Sequence, residues 1–459
     1  MPPPHASPPP DVDPIATAPV GRTVLRLGLP LAIGMACHAL VNLVDLALVG
    51  RLGADAAAAA HIATVVNFVP MIVGNAISVT TLAQLSQRFG AGDIAGADSF
   101  ARRSLWFMTV LGAVVAAVTA LPAAPCVDTI GCEGAVRRDA IHYLVVSNLG
   151  CLPMFVLMQA TAEMRARGAV AMPLWLLLGC NAVNLLLDIV LLFGWQQVGI
   201  RAVGVVGAAY ATAAARALSA VVALVWLRRR WPAPAVPGHA GTHVTGPLLR
   251  GAWPQVVQIG LRAALVWGLT AIVQHKVGND GTAALAVTTR LDTLVLFAAI
   301  GFASAATTVA GRAVARGEYA RARAAGLHAG VQALLFGAVL VSAFWFGAEP
   351  LLHQFLPDAS TPVVDAGVLY LTIAAAAQPF AAAALGAMGA LHGAGRMIPP
   401  LFVDLFGFAG IAAALTLAAR LELASVYLAL VGGALALALM HVGFLWLHRW
   451  RPVAAARQD

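Results

Sequence analysis

The chain carries very little charge for its length. Only 10% of its 459 residues are Asp, Glu, Lys or Arg, and 60% are hydrophobic, whereas about a quarter of a soluble domain is charged. This composition excludes an ordinary soluble protein, because too few polar residues remain to cover a core. Apolar runs of about 20 residues, enough for a helix to cross a ~30 Å hydrocarbon layer, recur along the whole chain. Because they show no period-two alternation, the sequence predicts an all-α polytopic membrane protein and not an outer-membrane barrel.

Catalytic and metal-binding motifs are also missing. The sequence contains no HExxH, GxSxG or P-loop pattern and no CxxC pair, so nothing in it predicts an enzyme, a cofactor or a metal centre. The first twenty residues lack the positive n-region of a signal peptide and are expected to form a disordered cytosolic tail. Cys126 and Cys132 share one loop, where a disulfide and two free thiols both fit the spacing.

The apolar runs predict twelve membrane spans. Spans 1 to 12 are placed at 24–50, 56–84, 101–122, 139–161, 171–194, 203–227, 249–275, 283–311, 326–348, 366–391, 398–419 and 424–447. With the N-terminus inside, 19 of the 28 basic residues fall on the inner side and 6 on the outer side. This asymmetry predicts a bacterial inner-membrane protein with both termini cytosolic. It also accounts for the net charge of +8 without nucleic acid. The expected partners are the lipid bilayer and a small-molecule substrate, bound by a monomer.

The two halves of the chain resemble each other. VGRLGADAAAA at 49–59 recurs as VGNDGTAALA at 277–286, and Pro30 has a counterpart in Pro254. Further pairs follow in the same order, with shifts of 224 to 228 residues. Six spans per half give both repeats one orientation, with a cavity between them. The predicted division is therefore a tail (1–21), an N-lobe (22–230), a cytosolic linker (231–247), a C-lobe (248–448) and a second tail (449–459).

Several segments carry a family resemblance. They are LVNLVDLALVGRLG at 40–53, RFGAGD at 88–93, RGAVAMPLWLLLGCNAVNLLLDIVLLFG at 167–194, GAAYAT at 207–212 and TRLDTLVLFAAIGFASAATTVAGR at 289–312. Together, on a six-plus-six repeat, they resemble the multidrug and toxic compound extrusion (MATE) transporters. The resemblance implies a V-shaped pair of lobes, alternating access, and export of small organic molecules driven by H⁺ or Na⁺ entry.

The pattern of acids resembles one branch of that family. Spans 7 and 10 lack the acidic residues that some members carry there. The acids of the N-lobe instead match the DNA-damage-inducible-F-like (DinF-like) branch, in which carboxylates of spans 1 and 5 form the coupling site.

Polar residues recur on one face of three spans in the N-lobe. They are His38, Asn42 and Asp45 in span 1, Asn181, Asn184 and Asp188 in span 5, and Thr212 in span 6. An acid inside a membrane costs about 2.5–3.5 kcal/mol, so retained acids usually face a cavity or a partner.

Asp45 and Asp188 are the predicted coupling site. The rise per residue places both acids roughly 7–9 Å below the outer end of their spans, and Thr212 at roughly 12 Å. Paired acids at one depth can hold a proton or a Na⁺, with Asn184 and Thr212 as neutral partners. The alternative is a polar helix–helix contact that only fixes packing.

The other polar residues have weaker predicted roles. His38, Asn42 and Asn181 are candidates for substrate contact or proton relay, although a hydrogen-bonded interior histidine is the favoured interpretation of His38 and a packing role that of Asn181. Arg262 in span 7 aligns with His38 through the repeat, so it could attract an anionic group on a substrate or pair with an acid. Asp404 in span 11 lies nearer the cytosolic end and is interpreted as structural.

Two other functions compete with export. A flippase for a lipid-linked precursor belongs to the same superfamily, but a strongly cationic cavity is expected of it. A membrane-embedded enzyme is the more remote alternative, because the repeat has no catalytic rationale. The sequence identifies neither the cargo nor the coupling ion.

Overall fold

The computed structural model describes residues 14–128, 134–232, 243–355, 360–448 and 450. Within these ranges the fold is all α, with two single 3₁₀ turns, at Gln196–Val198 and Ala374–Ala376. The α-helices are α1 (Pro14–Thr17), α2 (Val20–Gly50), α3 (Ala54–Gly90), α4 (Ile94–Ala120), α5 (Ala123–Asp128), α6 (Gly134–Leu149), α7 (Cys151–Ala166), α8 (Ala171–Phe193), α9 (Val206–Arg230), α10 (Thr245–Val277), α11 (Asn279–Ala315), α12 (Tyr319–Phe346), α13 (Ala348–Phe355), α14 (Thr361–Ile373), α15 (Ala377–Gly393), α16 (Ile398–Ala418) and α17 (Leu423–Leu447).

The described residues contain twelve helical segments that are long and apolar enough to cross a membrane, which confirms the predicted spans. Span 4 consists of α6 and α7, and span 10 consists of α14 and α15. The predicted starts of spans 3 and 9 come too late. Their helices, α4 and α12, begin with polar turns at Ile94 and Tyr319 that hydropathy assigns to loops.

The two repeats are visible in the helix starts. Helices α2 to α5 begin at Val20, Ala54, Ile94 and Ala123, and α10 to α13 begin at Thr245, Asn279, Tyr319 and Ala348, 225 residues later in each case. The same offset relates the break in span 4 at Gly150 to the 3₁₀ turn in span 10. This constant spacing confirms the arrangement of two six-span repeats.

A tight turn repeats with the same spacing. Gly92 and Gly317 have φ of 75° and 78°, a left-handed conformation that favours glycine. Each is followed by an acidic N-cap residue, Asp93 before α4 and Glu318 before α12. Asp93 accepts a hydrogen bond from the Gly96 backbone at 2.8 Å, so the turn also starts the next span.

The start of the N-lobe differs from the predicted tail at 1–21. Residues 14–17 form the short helix α1 and α2 begins at Val20, whereas residues 1–13 lie outside the described ranges. The Arg321 side chain donates to the carbonyls of Ile15 and Ala18, at 2.9 and 2.5 Å, and Gln332 donates to Gly21 O at 2.9 Å. These bonds attach the segment to α12 of the C-lobe. Most of the linker (233–242) and almost all of the C-terminal tail also lie outside the described ranges.

The two lobes meet along a seam at one end of the bundle, where α3, α7, α11 and α15 finish. Hydrogen bonds between the described residues cross it from Gln87 Nε2 to Gly393 O (2.7 Å), Arg165 Nη1 to Ser304 Oγ (3.0 Å), Arg312 Nη2 to Ala166 O (2.8 Å), Arg316 Nε to Gly90 O (3.2 Å) and Gln255 Nε2 to Ala76 O (3.3 Å). Nearby, α2 and α11 touch through their backbones, since a Cβ added to Gly301 would lie 2.3 Å from Ala32 N. The V-shaped pair of lobes is therefore joined at this end.

Candidate functional site

Two helices of the N-lobe, α2 and α8, bring the predicted polar residues together. His38 Nδ1 lies 2.8 Å from Asn181 Oδ1. Seven residues later on both helices, the side chains of Asp45 and Asp188 meet. Contacts that advance by two helical turns on both partners show that α2 and α8 run side by side in the same direction. The polar residues predicted to share one face of each helix therefore form two contacts between α2 and α8.

The carboxyl groups of Asp45 and Asp188 lie within hydrogen-bonding distance of each other. Asp188 is fully buried and Asp45 is half-buried. Among the described residues, no N–H or O–H donates to either Asp188 oxygen or to Oδ1 of Asp45. Two adjacent carboxylates without donors repel each other, whereas one proton or one cation between them removes the repulsion. The geometry therefore suits a site that binds a cation.

Two residues that the sequence reasoning did not include lie beside the pair. Arg216 of α9 is close enough for its charge to act on Asp45, and Tyr143 of α6 is close enough to interact electrostatically with both acids. Tyr143 is one of five tyrosines in the chain and lies within predicted span 4. Its phenol group inside a span was the sequence feature that could have marked it as a candidate site residue. Arg216 lies within predicted span 6 at 203–227, one helical turn after Thr212.

The neutral candidates Asn184 and Thr212 contact each other. Asn184 Nδ2 donates to Thr212 Oγ1 at 3.3 Å, which joins α8 to α9. Asn184 lies one turn before Asp188 on the same face of α8, and Thr212 lies one turn before Arg216 on α9. Both residues therefore flank the acid pair, although the amide hydrogen directed at Thr212 already uses one lone pair of that hydroxyl oxygen.

His38 has a partner for each ring nitrogen. With Asn181 Oδ1 as the acceptor, Nδ1 carries the proton, and Nε2 accepts from Asn42 Nδ2 at 3.5 Å. This pattern satisfies a neutral imidazole. The ring also stacks on Phe297 of α11, with centroids 6.2 Å apart, so His38 lies where the two lobes face each other.

Arg262 lies apart from these residues, in the C-lobe. Its guanidinium carbon is 5.9 Å from the centre of the Phe408 ring, and its charge acts on His392 and His441. The 225-residue offset between the starts of α2 and α10 places Arg262 within one residue of the position of His38. Its contacts among the described residues are with the C-lobe and not with the Asp45–Asp188 pair.

Metal chemistry of the zinc or iron type finds no support in the described residues, which contain no cluster of three His, Cys, Asp or Glu side chains. The oxygen-rich surroundings of Asp45 and Asp188 suit a hard cation or a proton. Cys132 lies outside the described ranges, so the structure does not address the predicted alternatives for Cys126 and Cys132.

Comparison with known proteins gives consistent matches along most of the chain. The MatE family model matches residues 30–190 and 264–417. A probable multidrug resistance protein NorM of Deinococcus radiodurans is 28% identical over 455 residues, covering 96% of this chain and 98% of the relative. Its namesake from Xanthomonas campestris is 28% identical over 425 residues, covering 89% of this chain and 88% of the relative.

Solved structures share the fold. A multidrug resistance MATE family transporter in an outward-facing conformation superposes with a TM-score of 0.85 at 21% identity. A MOP superfamily transporter from Pyrococcus furiosus gives 0.85 at 22% identity. Each comparison covers 94% of this chain and 96% of the other.

Proposed function

The chain belongs to the MatE family of multidrug and toxic compound extrusion transporters, and we propose that it exports small organic molecules by alternating access, coupled to cation entry at Asp45 and Asp188. As a member of this family it is a multi-pass membrane transporter and not an enzyme. Its relatives in Deinococcus and Xanthomonas, probable multidrug resistance proteins, support small organic molecules as the cargo.

The contact between Asp45 and Asp188 carries the proposal. Two neighbouring acids, of whose four oxygens three lack donors among the described residues, are costly inside a membrane unless something binds between them. A structural contact would be better served by one acid and one donor, as at Asp292, which accepts from Tyr370 at 2.5 Å and from Gln378 at 2.8 Å. The Asp45–Asp188 pair is therefore the better candidate for a site that binds and releases a cation.

The seam between the lobes supports alternating access. It includes hydrogen bonds from Gln and Arg side chains to backbone carbonyls and one hydroxyl, contacts that can break and re-form as the lobes move. The inner-side assignment of Arg165, Arg312 and Arg316 makes this the cytosolic end. The conformer described would then be closed to the cytosol and open outward.

In the proposed cycle, a proton from outside binds the acid pair while the cleft faces outward. Neutralising the pair removes its repulsion and lets α2 and α8 pack more closely, which changes the wall of the cleft beside His38 and favours release of cargo. Opening of the seam exposes the pair to the cytosol, where the proton leaves. The restored negative charge then favours rebinding of cargo.

A proton fits this geometry better than Na⁺. One proton satisfies two carboxyl groups that already lie within hydrogen-bonding distance, and it needs no further ligand. A Na⁺ ion would also need neutral oxygens, and one of the two lone pairs of the Thr212 hydroxyl is already used by Asn184. We therefore place H⁺ first and Na⁺ second as the coupling ion.

The proposed setting is the bacterial inner membrane, with both termini in the cytosol and the chain acting as a monomer. The bacterial relatives and the positive-inside distribution of arginines support this orientation. The acid pair also favours export over a lipid-linked flippase, for which a cationic cavity was expected.

Everted membrane vesicles from an efflux-deficient host test the proposal. Fluorescent organic cations, including ethidium, are added to the outside of the vesicles, and a pH or Na⁺ gradient is imposed across the membrane. We expect the vesicles to take up at least one dye only while the gradient is present, and uptake to stop when the gradient is collapsed. Dye uptake at the same rate with and without either gradient would contradict coupling of export to cation entry.

A further inference from the structure

A second group of buried titratable residues lies in the C-lobe, away from the proposed coupling pair. Asp404 of α16 is fully buried, and His441 of α17 and His392 of α15 are 1% and 5% exposed. His441 Nε2 lies 3.4 Å from Asp404 Oδ1. Among the described residues, no hydrogen-bond donor with good geometry reaches either oxygen of Asp404.

The other ring nitrogen of His441 fixes the position of its hydrogen. Nδ1 lies 3.1 Å from the carbonyl oxygen of Leu437, one turn earlier in α17. A carbonyl oxygen can only accept, so Nδ1 carries the hydrogen. In a neutral imidazole the second nitrogen, Nε2, then carries a lone pair, and it has no hydrogen-bond partner with good geometry among the described residues.

A lone pair on Nε2 only 3.4 Å from an ionised carboxylate in a buried site is unfavourable. The contact becomes favourable if one proton lies between the two groups, either on the carboxyl group as a donor to Nε2 or on Nε2 as an imidazolium donor to the carboxylate. We propose that Asp404 and His441 form a second proton-binding site, in the C-lobe, that holds one proton in the conformer described here.

The charged and titratable groups around the pair come from three neighbouring helices. Arg262 faces it from α10 and His392 from α15, both within electrostatic reach of His441. On α12, Arg323 stacks on Trp446, five residues beyond His441. With one shared proton the pair is neutral overall, which avoids both a bare buried carboxylate and a buried cation beside Arg262.

The pair lies near one end of the bundle. Asp404 is six residues from the start of α16 and His441 is six residues from the end of α17, so both are about 9 Å inside that end. His392 is the penultimate residue of α15 at the same end, and its Nε2 is buried without a partner among the described residues. It can pass a proton between the pair and the adjoining turn.

The repeat shows that this site is distinct from the coupling pair. The offset between α8 and α16 is 227 residues, which places Leu177 at the position of Asp404. The offset between α9 and α17 is 217 residues, which places Leu224 at the position of His441. Both counterparts are apolar, so the second proton site belongs to the C-lobe alone. Its occupancy would couple the packing of α15, α16 and α17 to the pH at that end.

Infrared difference spectroscopy of the full-length protein in lipid tests the assignment. Spectra are taken while the pH is cycled between about 5 and 9, for wild type, Asp404→Asn, His441→Gln and, as a control, Asp188→Asn. A shared proton predicts one pH-dependent carboxyl or imidazolium signal that is lost in both Asp404→Asn and His441→Gln and kept in Asp188→Asn. If neither folded variant removes any signal, or the two remove unrelated signals, the proposal is overturned.

Nitrogen NMR of wild-type protein labelled with ¹⁵N-histidine covers the case in which a variant fails to fold. The proposal predicts one of the 12 histidines with either two protonated ring nitrogens at neutral pH or an Nε2 that accepts a strong hydrogen bond. A set of ordinary neutral and solvent-titrating imidazoles alone would contradict it.

Discussion

Asp45 and Asp188 place their carboxyl groups within hydrogen-bonding distance of each other, seven residues beyond the contact between His38 and Asn181 on the same two helices. The contact between His38 and Asn181 joins a donor to an acceptor, whereas the contact between Asp45 and Asp188 joins two acceptors. Only the second therefore requires an added proton or cation, which separates the coupling function from the packing function along one helix pair.

The satisfied ring of His38 predicts that it is not part of the proton path. His38→Gln keeps a donor and an acceptor near Asn181 and Asn42, so gradient-driven flux should fall no more than several-fold and its pH midpoint should not move. The measurement is coupled dye flux in proteoliposomes from about pH 5.5 to 8.5. A shifted midpoint would show that the imidazole itself carries the proton.

Much of this could be predicted from sequence. The spans, the repeat and the acid pair follow from hydropathy and helical spacing, because each is a pattern within one helix or between similar segments. The breaks at Gly150 and at Ala374–Ala376 escape hydropathy, since the residues on both sides are apolar.

Contacts between distant helices could not be predicted in the same way. Asp404 was interpreted as structural because it lies near the cytosolic end of span 11, and nothing in that span shows that His441 of span 12 lies 3.4 Å from it. Tyr143 reaches the acid pair only because α6 packs against α3 and α9.

The seam predicts a steric effect at Gly301. An added methyl group would lie 2.3 Å from Ala32 N, and such overpacking typically costs about 1–3 kcal/mol. Gly301→Ala should therefore lower the melting temperature and favour separation of the lobes at this end. The distance between spin labels attached at positions 229 and 447, measured by electron paramagnetic resonance, should be longer in Gly301→Ala than in wild type.

Gly268 in α10 provides the matched control. A Cβ there has no neighbour within 4 Å, and alanine is the better helix former by up to about 1 kcal/mol. Gly268→Ala should leave both the melting temperature and the label distance unchanged or slightly improved. Equal effects of the two substitutions would contradict the seam.

The identity of the coupling ion can be tested at Asn184 and Thr212, the neutral residues that flank the acid pair. Because a proton needs only the two carboxyl groups, Asn184→Leu and Thr212→Val should keep flux driven by a pH gradient within several-fold of wild type. Thr416→Val is the control, since its hydroxyl bonds only to Ala413 O of its own helix. Sodium-dependent flux whose half-saturating Na⁺ concentration rises tenfold in both flank variants would identify Na⁺ instead.

The proposed orientation predicts that the linker between the lobes is cytosolic. Gly238 lies in this linker, outside the described ranges. A cysteine introduced there should react with an impermeant maleimide in everted vesicles and resist it in intact spheroplasts. Strong labelling in spheroplasts would reverse the orientation and, with it, the assignment of the seam to the cytosolic end.

The proposed coupling role of the acid pair has a well-matched control outside the spans. Asp128 is exposed and bound by Arg137 at 2.6 Å, and this hydrogen bond lowers the pKa of the Asp128 carboxyl, so the residue is an ordinary ionised acid. Asp128→Asn removes the same charge as Asp45→Asn without touching the membrane interior.

Dye flux under an imposed pH or Na⁺ gradient, compared among wild type, Asp45→Asn, Asp188→Asn and Asp128→Asn at equal reconstituted protein, is the most direct test of cation coupling at the acid pair. Asn mimics a permanently protonated acid, so the two pair variants should reach the membrane but lose gradient-driven flux at least about tenfold. Asp128→Asn should transport like wild type. Near-wild-type coupled flux in both Asp45→Asn and Asp188→Asn would show that these acids only fix packing and that coupling occurs elsewhere.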